Sequence, residues 1–342
     1  NGVEVLLKDN PSLQADMVVL AIGVTPDTAL AKEAGLELGI KGSIVVNDRM
    51  ETSVPDIYAA GDAVQVKHYV TGDDALISLA GPANKQGRII ADNICGGDSR
   101  YLGSQGSSVI KVFDMTAATT GINETNAKKS GLEVDTVILS PMSHAGYYPG
   151  GKVMTMKVVF EKETYRLLGA QIIGYEGVDK RIDVLATAIH AGLKATQLKD
   201  LDLAYAPPYS SAKDPVNMAG FMIDNIAKGT LKQWHLEDMD KISKDKSVVL
   251  LDVRTVGEFN RGHMDGFKNI PVDELRERIN EIEKGKPVYL ICQSGLRSYI
   301  ASRILEGNGY ETYNFSGGFR FYDAVVNDRA LIEKAYACGM DY

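Results

Sequence analysis

The sequence is poor in the residues on which several classes of protein depend. Its 342 residues include three cysteines and one tryptophan, and no two cysteines have CxxC spacing. We therefore expect neither a disulfide scaffold nor a metal site, and the sparse cysteines suit a reducing, cytoplasmic compartment. No apolar run approaches the ~20 residues of a bilayer-spanning helix, so we expect no membrane insertion.

Positive charge is also scarce, because the formal net charge is −8. Nucleic-acid binding depends on clustered positive charge, so we expect no nucleic-acid partner, whereas a small anionic ligand needs only a few local cations. The sequence contains no Gly-x-Gly-x-x-Gly dinucleotide fingerprint. It opens at Asn1 with strand-like residues and no Met, from which we expect the C-terminal portion of a longer polypeptide.

Hydrophobic patterning predicts the α/β class. After residue 243, short apolar runs alternate with helical patterns, which is typical of a parallel sheet. Residues 108–228 place strands first and helices after them, which predicts an α+β domain. Between these parts, residues 229–243 are predicted to be a polar connector that carries the single tryptophan, Trp234.

Three predictions concern single elements. The apolar run 17–22 predicts a buried strand. Residues 75–94 predict a helix with a kink near Gly81 and Pro82. Residues 273–283 predict a further helix between two strands of the C-terminal part.

One cysteine stands where a buried strand meets a helix. Cys292 follows the strand-like residues 287–291 and opens the loop CQSGLR. A nucleophile in this position lies among backbone N–H groups at a helix N-terminus, and both stabilise an anion. Gly295 allows a tight turn, and Arg297 adds a fixed positive charge. The pattern predicts a reactive thiolate rather than a structural thiol.

The residues around this loop resemble the rhodanese family of sulfurtransferases. The resemblance covers about 247–325, with LLDVRTVGEFNRGHMDGFKNIP, CQSGLRS and FSGG in order. It implies that Cys292 carries a sulfane sulfur as a persulfide, that Arg297 assists, and that Asp252 and Arg254 support the site. The six-residue loop is one residue shorter than that of related dual-specificity phosphatases, which favours sulfur over a phosphoryl group. The implied substrate-binding residues are Gln293, Ser294, Gly295 and Leu296.

A second motif lies near the start of the chain. Residues 52–62 read TSVPDIYAAGD, which predicts a strand ending at Gly61 and Asp62. A carboxylate there accepts a hydrogen bond from a ribose or ribityl hydroxyl, and the glycine permits close backbone approach. Residues 21–30 read AIGVTPDTAL, and the two motifs in this order are more specific than a single Gly-Asp pair.

Together these motifs resemble the two-dinucleotide-binding-domain disulfide reductases, which use FAD and NAD(P)H. LAGPANKQGRIIADNI and LAYAPPYSSAKDPVNMAGF are similar to the CoA-disulfide reductase and NADH oxidase branch. The resemblance covers essentially the whole chain and implies a CoA-disulfide or persulfide reductase fused to a rhodanese domain. It divides the chain into five parts. They are the end of an NAD-binding domain (1–25), the C-terminal part of an FAD-binding domain (26–107), an α+β dimerisation domain (108–228), a linker (229–243) and an α/β rhodanese domain (244–342).

The same resemblance implies a homodimer with an active site shared across the interface. Tyr147 and Tyr205 would donate protons to a thiolate leaving group, and Tyr148 and Tyr209 are the alternatives by register. The implied FAD contacts are Gly61, Asp62, Ala80, Pro82 and Tyr205. The implied coenzyme A contacts are Asn84, Lys85 and Lys213, and for the two lysines a solvated surface charge is the competing interpretation.

Three functions stay open. The first is reduction of CoA disulfide, or of CoA or glutathione persulfides, by a longer protein whose first FAD motif and reductase cysteine lie upstream of residue 1. The second is an NADH oxidase or peroxidase with a sensing rhodanese domain. The third is a sulfur carrier without redox turnover of its own. Cys95 and Cys338 do not match the reductase cysteine, so we expect both to be structural or incidental.

Overall fold

The computed structural model describes residues 2–8 and 10–336, of which 329–336 are described by their backbone alone. Cys338 lies outside these residues. The chain divides into two compact units, Asn1–His68 with Gly72–Ser104, and Tyr69–Thr71 with Gln105–Tyr342. Within the described part of the chain, no helix combines the length and apolar character needed to cross a membrane.

The first unit consists of short elements around a small core of Met50, Val64 and Val66. β1 pairs with β2 and β3 pairs with β4, both antiparallel. The elements are β1 (Val3–Val5), β2 (Leu13–Ala15), α1 (Ala29–Glu33), β3 (Val66–Lys67), β4 (Asp74–Ala75) and α2 (Ala80–Ile94).

Three predictions for this unit were wrong. The strand predicted at 52–62 is absent, because only an isolated bridge between Glu51 and Tyr58 forms there and Gly61–Ala63 is a 3₁₀ turn. Helix α2 begins at Ala80 rather than at residue 75, since Pro82 lacks an N–H and is tolerated only in a first turn. The apolar run 17–22 is not a strand, and Leu20 and Ile22 are exposed. A strand needs a neighbour for its N–H and C=O groups, and no described residue pairs with this run.

The second unit begins with a five-stranded antiparallel sheet in the order β5-β6-β9-β8-β7. Helix α4 packs against β6 and β9, and α5 packs against β7. Met156, Leu168 and Leu185 are fully buried between these layers, and each such side chain contributes roughly 1.5–3 kcal/mol. The elements are β5 (Ser108–Val112), β6 (Met115–Gly121), α3 (Glu124–Lys129), β7 (Val134–Leu139), β8 (Met154–Glu161), β9 (Leu167–Gly174), α4 (Val178–His190) and α5 (Pro215–Ala227).

A parallel sheet in the order β10-β14-β13-β11-β12 follows in the same unit. The carboxyl end of its central strand, β13, leads directly into Cys292. The elements are β10 (Gln233–Trp234), α6 (Met239–Ile242), β11 (Val249–Asp252), α7 (Val256–Asn260), β12 (Lys268–Asn269), β13 (Val288–Ile291), α8 (Leu296–Glu306), β14 (Thr312–Phe315) and α9 (Gly318–Tyr336).

The helix predicted at 273–283 was wrong, because only Ile279–Glu281 forms a single 3₁₀ turn there. The buried hydroxyl of Tyr310 donates a hydrogen bond to the carbonyl of Ile282 at 3.1 Å. A tertiary contact therefore satisfies a backbone group that an α-helix would satisfy within itself.

The connector is tied to both sheets of the second unit. Trp234 is 2% exposed, packs on Phe315 with ring centroids 4.5 Å apart, and extends the parallel sheet as part of β10. On the other side, Gln233 Nε2 donates to the carbonyl of Thr136 at 2.7 Å. These contacts fix the parallel-sheet part of the unit against the edge of the antiparallel sheet.

The burial of Trp234 predicts that Trp234→Ala destabilises the chain by about 3–5 kcal/mol, since it opens a large cavity. Trp234→Phe, which keeps an aromatic ring, should lose less than half of that. Urea unfolding followed by circular dichroism measures both variants. Equal unfolding midpoints for Trp234→Ala and the unmodified chain would show that the connector is not anchored by this side chain.

Candidate active site

Cys292 lies at the bottom of a loop that surrounds its sulfur with hydrogen-bond donors. The residue is 1% exposed. Its Sγ accepts hydrogen bonds from the Gly295 N–H at 3.1 Å and from Ser298 Oγ at 3.2 Å. Gly295 has φ +100°, in the left-handed region that favours glycine, and this turn directs its N–H back at the sulfur. Two converging donors at a helix N-terminus are suited to a sulfur anion.

The start of helix α9 holds this loop in place. The Phe319 N–H donates to the carbonyl of Cys292 at 2.8 Å. Gly318 packs so closely on the loop that a Cβ would lie 2.7 Å from the Ser294 nitrogen. The second glycine of FSGG is therefore required by a close backbone approach, and no larger residue fits without moving the loop.

The guanidinium of Arg297 points to Glu258 in a two-pronged ion pair, with both N···O distances 2.7 Å. Its hydrogen bonds lower the pKa of Glu258 from 4.5 to about 2. No described hydrogen bond joins Arg297 to Cys292, but Cys292 is among the charges that raise the pKa of Arg297, after the hydrogen bond with Glu258. Glu258 was missed by the sequence reasoning, although the capping box that it forms with Thr255 was readable as T-x-x-E.

A second ion pair lies beneath the loop. Arg254 and Asp252 are fully buried, with Nη2 and Oδ2 2.6 Å apart. The Arg254 guanidinium also stacks on the Phe319 ring, 3.8 Å from its centroid, and its Nη1 donates to Gln293 Oε1 at 3.4 Å. Removal of either charge would leave its partner buried and unpaired, which is strongly destabilising. The pair thus connects β11 to the thiol loop and to α9.

The structure brings Tyr147 and Tyr205 together, with their hydroxyl oxygens 2.9 Å apart. Both rings are exposed. The hydrogen bond with Tyr147 is the main cause that raises the pKa of Tyr205. Of the two alternatives by register, Tyr148 packs edge-on against His144 and Tyr209 is exposed.

Arg181 holds the two tyrosine-bearing segments together and was also missed from the sequence. Its buried guanidinium donates to Asp214 Oδ2 and to the carbonyl of Ser143, each at 2.9 Å, and to the carbonyl of Tyr209 at 3.3 Å. The sequence signal that could have identified Arg181 is its position on the apolar face of helix α4, one turn after Val178, where a charged residue is unusual.

The first unit holds four of the five predicted FAD contacts, and the fifth, Tyr205, belongs to the second unit. Gly61 has φ +85° and donates its N–H to Gln86 Oε1 at 2.7 Å, while the Asp62 carboxylate is exposed. Ala80 and Pro82 lie in the first turn of α2, which has no side-chain cap. Free N–H groups at a helix N-terminus donate hydrogen bonds to an electronegative ligand group, and an exposed carboxylate accepts a hydrogen bond from a ligand hydroxyl. The hydrogen-bond donors and acceptors of these residues are of the kind that FAD would need.

The three predicted coenzyme A contacts fall in different places. Asn84 donates from its side chain to the Ala80 carbonyl at 2.9 Å, and Lys85 is exposed; both are in the first unit. Lys213 belongs to the second unit, where it lines a cavity together with the loop residues Ser294 and Leu296. The structure therefore places Lys213 beside the thiol loop.

The hydroxyl contact predicts that Tyr147→Phe lowers the pKa of Tyr205 towards its ordinary value, because the main cause of the upward shift is removed. Titration of ring-labelled tyrosines by NMR measures this pKa. Tyr148→Phe is the matched control and should leave the Tyr205 titration in place. A Tyr205 titration that is identical in Tyr147→Phe and the unmodified chain would show that the two hydroxyls are not paired in solution.

The low pKa of Glu258 predicts a pH-dependent contribution to stability. A depressed carboxyl pKa stabilises the fold above about pH 4.5, and this contribution is lost as the pH falls towards 2. Glu258→Gln should therefore cost about 1–2 kcal/mol at pH 7 and less at pH 3. Urea unfolding at the two pH values measures the difference. The control is Glu274→Gln, which breaks an exposed ion pair with Arg278. A loss of unfolding free energy in Glu274→Gln that equals or exceeds the loss in Glu258→Gln would contradict a special role for Glu258.

Comparison with known families agrees with this geometry. Residues 1–87 match the pyridine nucleotide-disulphide oxidoreductase family, 107–215 match the dimerisation domain of that family, and 235–324 match the rhodanese-like domain.

Among curated proteins, the NAD(P)H sulfur oxidoreductase (CoA-dependent) of Pyrococcus furiosus is 39% identical over 214 residues, which are 63% of this chain and 48% of that protein. The coenzyme A disulfide reductase of Staphylococcus aureus is 36% identical over 223 residues, 65% of this chain and 50% of that protein. The chain spans about half the length of the curated relatives it matches.

Two solved structures cover nearly all of the chain. Reduced Bacillus anthracis CoADR-RHD is 48% identical with a TM-score of 0.92, over 95% of this chain and 58% of that one. The NAD-dependent persulfide reductase from A. fulgidus is 42% identical with a TM-score of 0.84, over 91% of this chain and 57% of that one. The chain therefore carries domains of the pyridine nucleotide-disulphide oxidoreductase family, including its dimerisation domain, followed by a rhodanese-like domain.

Proposed function

We propose that the chain is the sulfur-handling portion of an FAD-dependent, NAD(P)H-driven reductase of CoA disulfide or of CoA and glutathione persulfides. Sulfane sulfur is carried as a persulfide on Cys292. The observation that carries the proposal is the convergence of the Gly295 N–H and Ser298 Oγ on the buried Cys292 sulfur. The names of the relatives, a CoA-dependent sulfur oxidoreductase and a coenzyme A disulfide reductase, support it.

The loop donors support the sulfur-transfer step. The Cys292 thiolate attacks the terminal sulfur of a donor RS–SH, the donor S–S bond breaks, and the donor leaves as a thiolate. Cys292 becomes a persulfide, whose outer sulfur also carries negative charge at neutral pH. The Gly295 N–H and the Ser298 hydroxyl stabilise the sulfur anion. Because one S–S bond forms as another breaks, this step needs no external oxidant or reductant.

Tyr147 and Tyr205 serve in the proposed reductase step as proton donors to a thiolate leaving group. Their direct hydrogen bond means that the proton lost by one hydroxyl is compensated by donation from the other. Exposure of both rings suits a role at a site to which a second subunit contributes.

Cofactor binding is proposed for the first unit. Gly61, Asp62, Ala80 and Pro82 would hold FAD, and Tyr205 is a further proposed FAD contact. FAD supplies electron transfer from NAD(P)H to a reductase cysteine when it is bound. Asn84, Lys85 and Lys213 are the proposed coenzyme A contacts.

A homodimer is supported by an exposed apolar hairpin. On strands β5 and β6 and the turn between them, Val109, Ile110 and Val112 are exposed, and Phe113 is 94% exposed. Contiguous apolar surface of this kind marks interaction sites. We propose that this hairpin, in the dimerisation domain at 108–228, packs against a second copy of the chain.

We also propose that the domain boundaries hold in the longer protein. They lie at 25/26, 107/108, 228/229 and 243/244.

The exposed apolar run 17–24 supports a longer protein. Met17, Leu20 and Ile22 are exposed, and such residues favour a buried strand once a neighbour is supplied. The chain also covers about half of its curated relatives. We propose that upstream residues provide the reductase cysteine and the first FAD motif, and that the protein acts in the reducing cytoplasm, where Cys95 and Cys292 stay free thiols.

A sulfur-carrier module is the second candidate. It is favoured by one observation: among the described residues the free thiols are the exposed Cys95 and the buried Cys292, and neither matches a flavin-linked cysteine. The complete reductase should purify with flavin and oxidise NADH when given a persulfide. A carrier should load sulfur without either property.

The proposal predicts that the purified chain gains one sulfur atom after exposure to a sulfane donor, reversed by thiol. Intact-mass measurement should show the gain in the unmodified chain and in Cys95→Ser, and its absence in Cys292→Ser. No gain in a folded chain with Cys292 reduced would contradict the proposal, as would a gain that is lost only in Cys95→Ser.

A further inference from the structure

Strand β7 is the last strand of the antiparallel sheet, so no described strand pairs with its outer edge. Two side chains of the parallel-sheet part bond to that edge instead. Gln233 Nε2 donates to the Thr136 carbonyl at 2.7 Å. Ser316 Oγ accepts from the Ile138 N–H at 3.1 Å. Because Thr136 and Ile138 are both buried, the two side chains take the place of a neighbouring strand for backbone groups that little water can reach.

Ser316 is itself held from two directions. The residue is 3% exposed, and its own N–H donates to the Trp234 carbonyl at 3.0 Å. Trp234 belongs to β10, so β10 fixes the Ser316 backbone while β7 fixes its hydroxyl. Ser316 directly follows β14 and is separated from the start of α9 by Gly317 alone. It therefore lies at the point where the antiparallel sheet meets the first turn of α9.

The chain from Ser316 into α9 has little free space. Gly317 and Gly318 have φ +101° and +69°, a pair of left-handed residues that turns the chain sharply. A Cβ at Gly317 would lie 2.8 Å from the Phe321 side chain. Close packing of this kind leaves the turn no room to absorb a displacement, so a shift of Ser316 is passed on to the residues that follow.

Those residues bond directly to the backbone of the thiol loop (292–297). The Phe319 N–H donates to the Cys292 carbonyl at 2.8 Å. The Arg320 N–H donates to the Gln293 carbonyl at 3.1 Å. Both contacts join backbone to backbone, with no flexible side chain between them. The position of the loop is therefore tied to the start of α9, and through it to the edge of β7.

We propose that Ser316 is a positioning residue for sulfur transfer at Cys292. By holding the start of α9 against β7, it fixes the loop in the conformation in which the Gly295 N–H and Ser298 Oγ converge on the sulfur. Neither of these donors belongs to the antiparallel sheet, so that sheet acts on the sulfur through Ser316. The inference rests on the proposed function, because it assigns a residue that the sulfur-accepting loop needs.

The first test uses the unmodified chain, because a coupling between two contacts is reciprocal. If the bond between Ser316 and Ile138 favours the loop that accepts sulfur, loading of Cys292 must change that bond. Backbone NMR before and after loading with inorganic polysulfide should show a moved Ile138 amide resonance. The control is the amide of Val158, which is fully buried within the sheet between β7 and β9 and should stay in place. An Ile138 resonance that does not respond to loading would overturn the inference.

The second test removes the hydroxyl. In Ser316→Ala the rate constant for sulfur loading of Cys292, measured by rapid-quench intact mass with inorganic polysulfide, should fall about tenfold, because a hydrogen bond to the sulfur anion is weakened. The Gly295 amide resonance should move upfield as its bond to the sulfur lengthens. Ser316→Thr, which keeps the hydroxyl, should restore both the loading rate and the Gly295 resonance. A residue that only stabilised the fold would leave the Gly295 resonance where it is.

The matched control is Gln233→Met, which breaks the other bond to the edge of β7 but leaves the start of α9 in place. It should lower the urea midpoint about as far as Ser316→Ala and keep the loading rate of the unmodified chain. Equal loading rates in the two variants, with normal loading of the unmodified chain, would overturn this inference and leave the proposed function intact. A failure of the unmodified chain to load Cys292 from any donor would instead overturn the proposed function.

Discussion

The arrangement of the C-terminal part depends on the hydrogen bonds that converge on the Cys292 sulfur. A sulfur that is 1% exposed cannot hold negative charge cheaply unless protein donors replace water. Gly295 and Ser298 supply those donors at 3.1 and 3.2 Å. The left-handed turn at Gly295 provides the first of them, and the position of α8 directly after the loop provides the second.

The surrounding packing keeps the loop at 292–297 in one conformation. Gly318 lets α9 lie against the loop backbone, and Arg254 ties β11 to both α9 and the loop. The ion pair of Arg297 with Glu258 fixes the far end of the loop to helix α7. Because each contact joins a different element to the same six residues, the loop is held by the whole parallel sheet rather than by its own sequence.

Part of the candidate site was predictable from the sequence because it depends on local sequence patterns. Cys292 was identified because strand, loop and helix follow one another directly in the sequence. The pairing of Tyr147 with Tyr205 was anticipated only through family resemblance, since residues so far apart carry no local signal of contact. Arg181, Glu258 and the cavity at Lys213 depend on which faces of distant elements meet. The run 17–22 was misjudged for the same reason, because a strand is defined by its neighbour as much as by its own residues.

The proposed function depends on Cys292 holding a transferred sulfur inside the loop at 292–297. A crystal structure of the chain trapped with a sulfane donor tests it most directly. We expect one additional sulfur bonded to Cys292 Sγ, within hydrogen-bond distance of the loop N–H groups, with the pair of Arg297 and Glu258 unbroken. Additional sulfur on Cys95 alone, or a loop that must open and lose the Gly295 contact to accept it, would contradict the account.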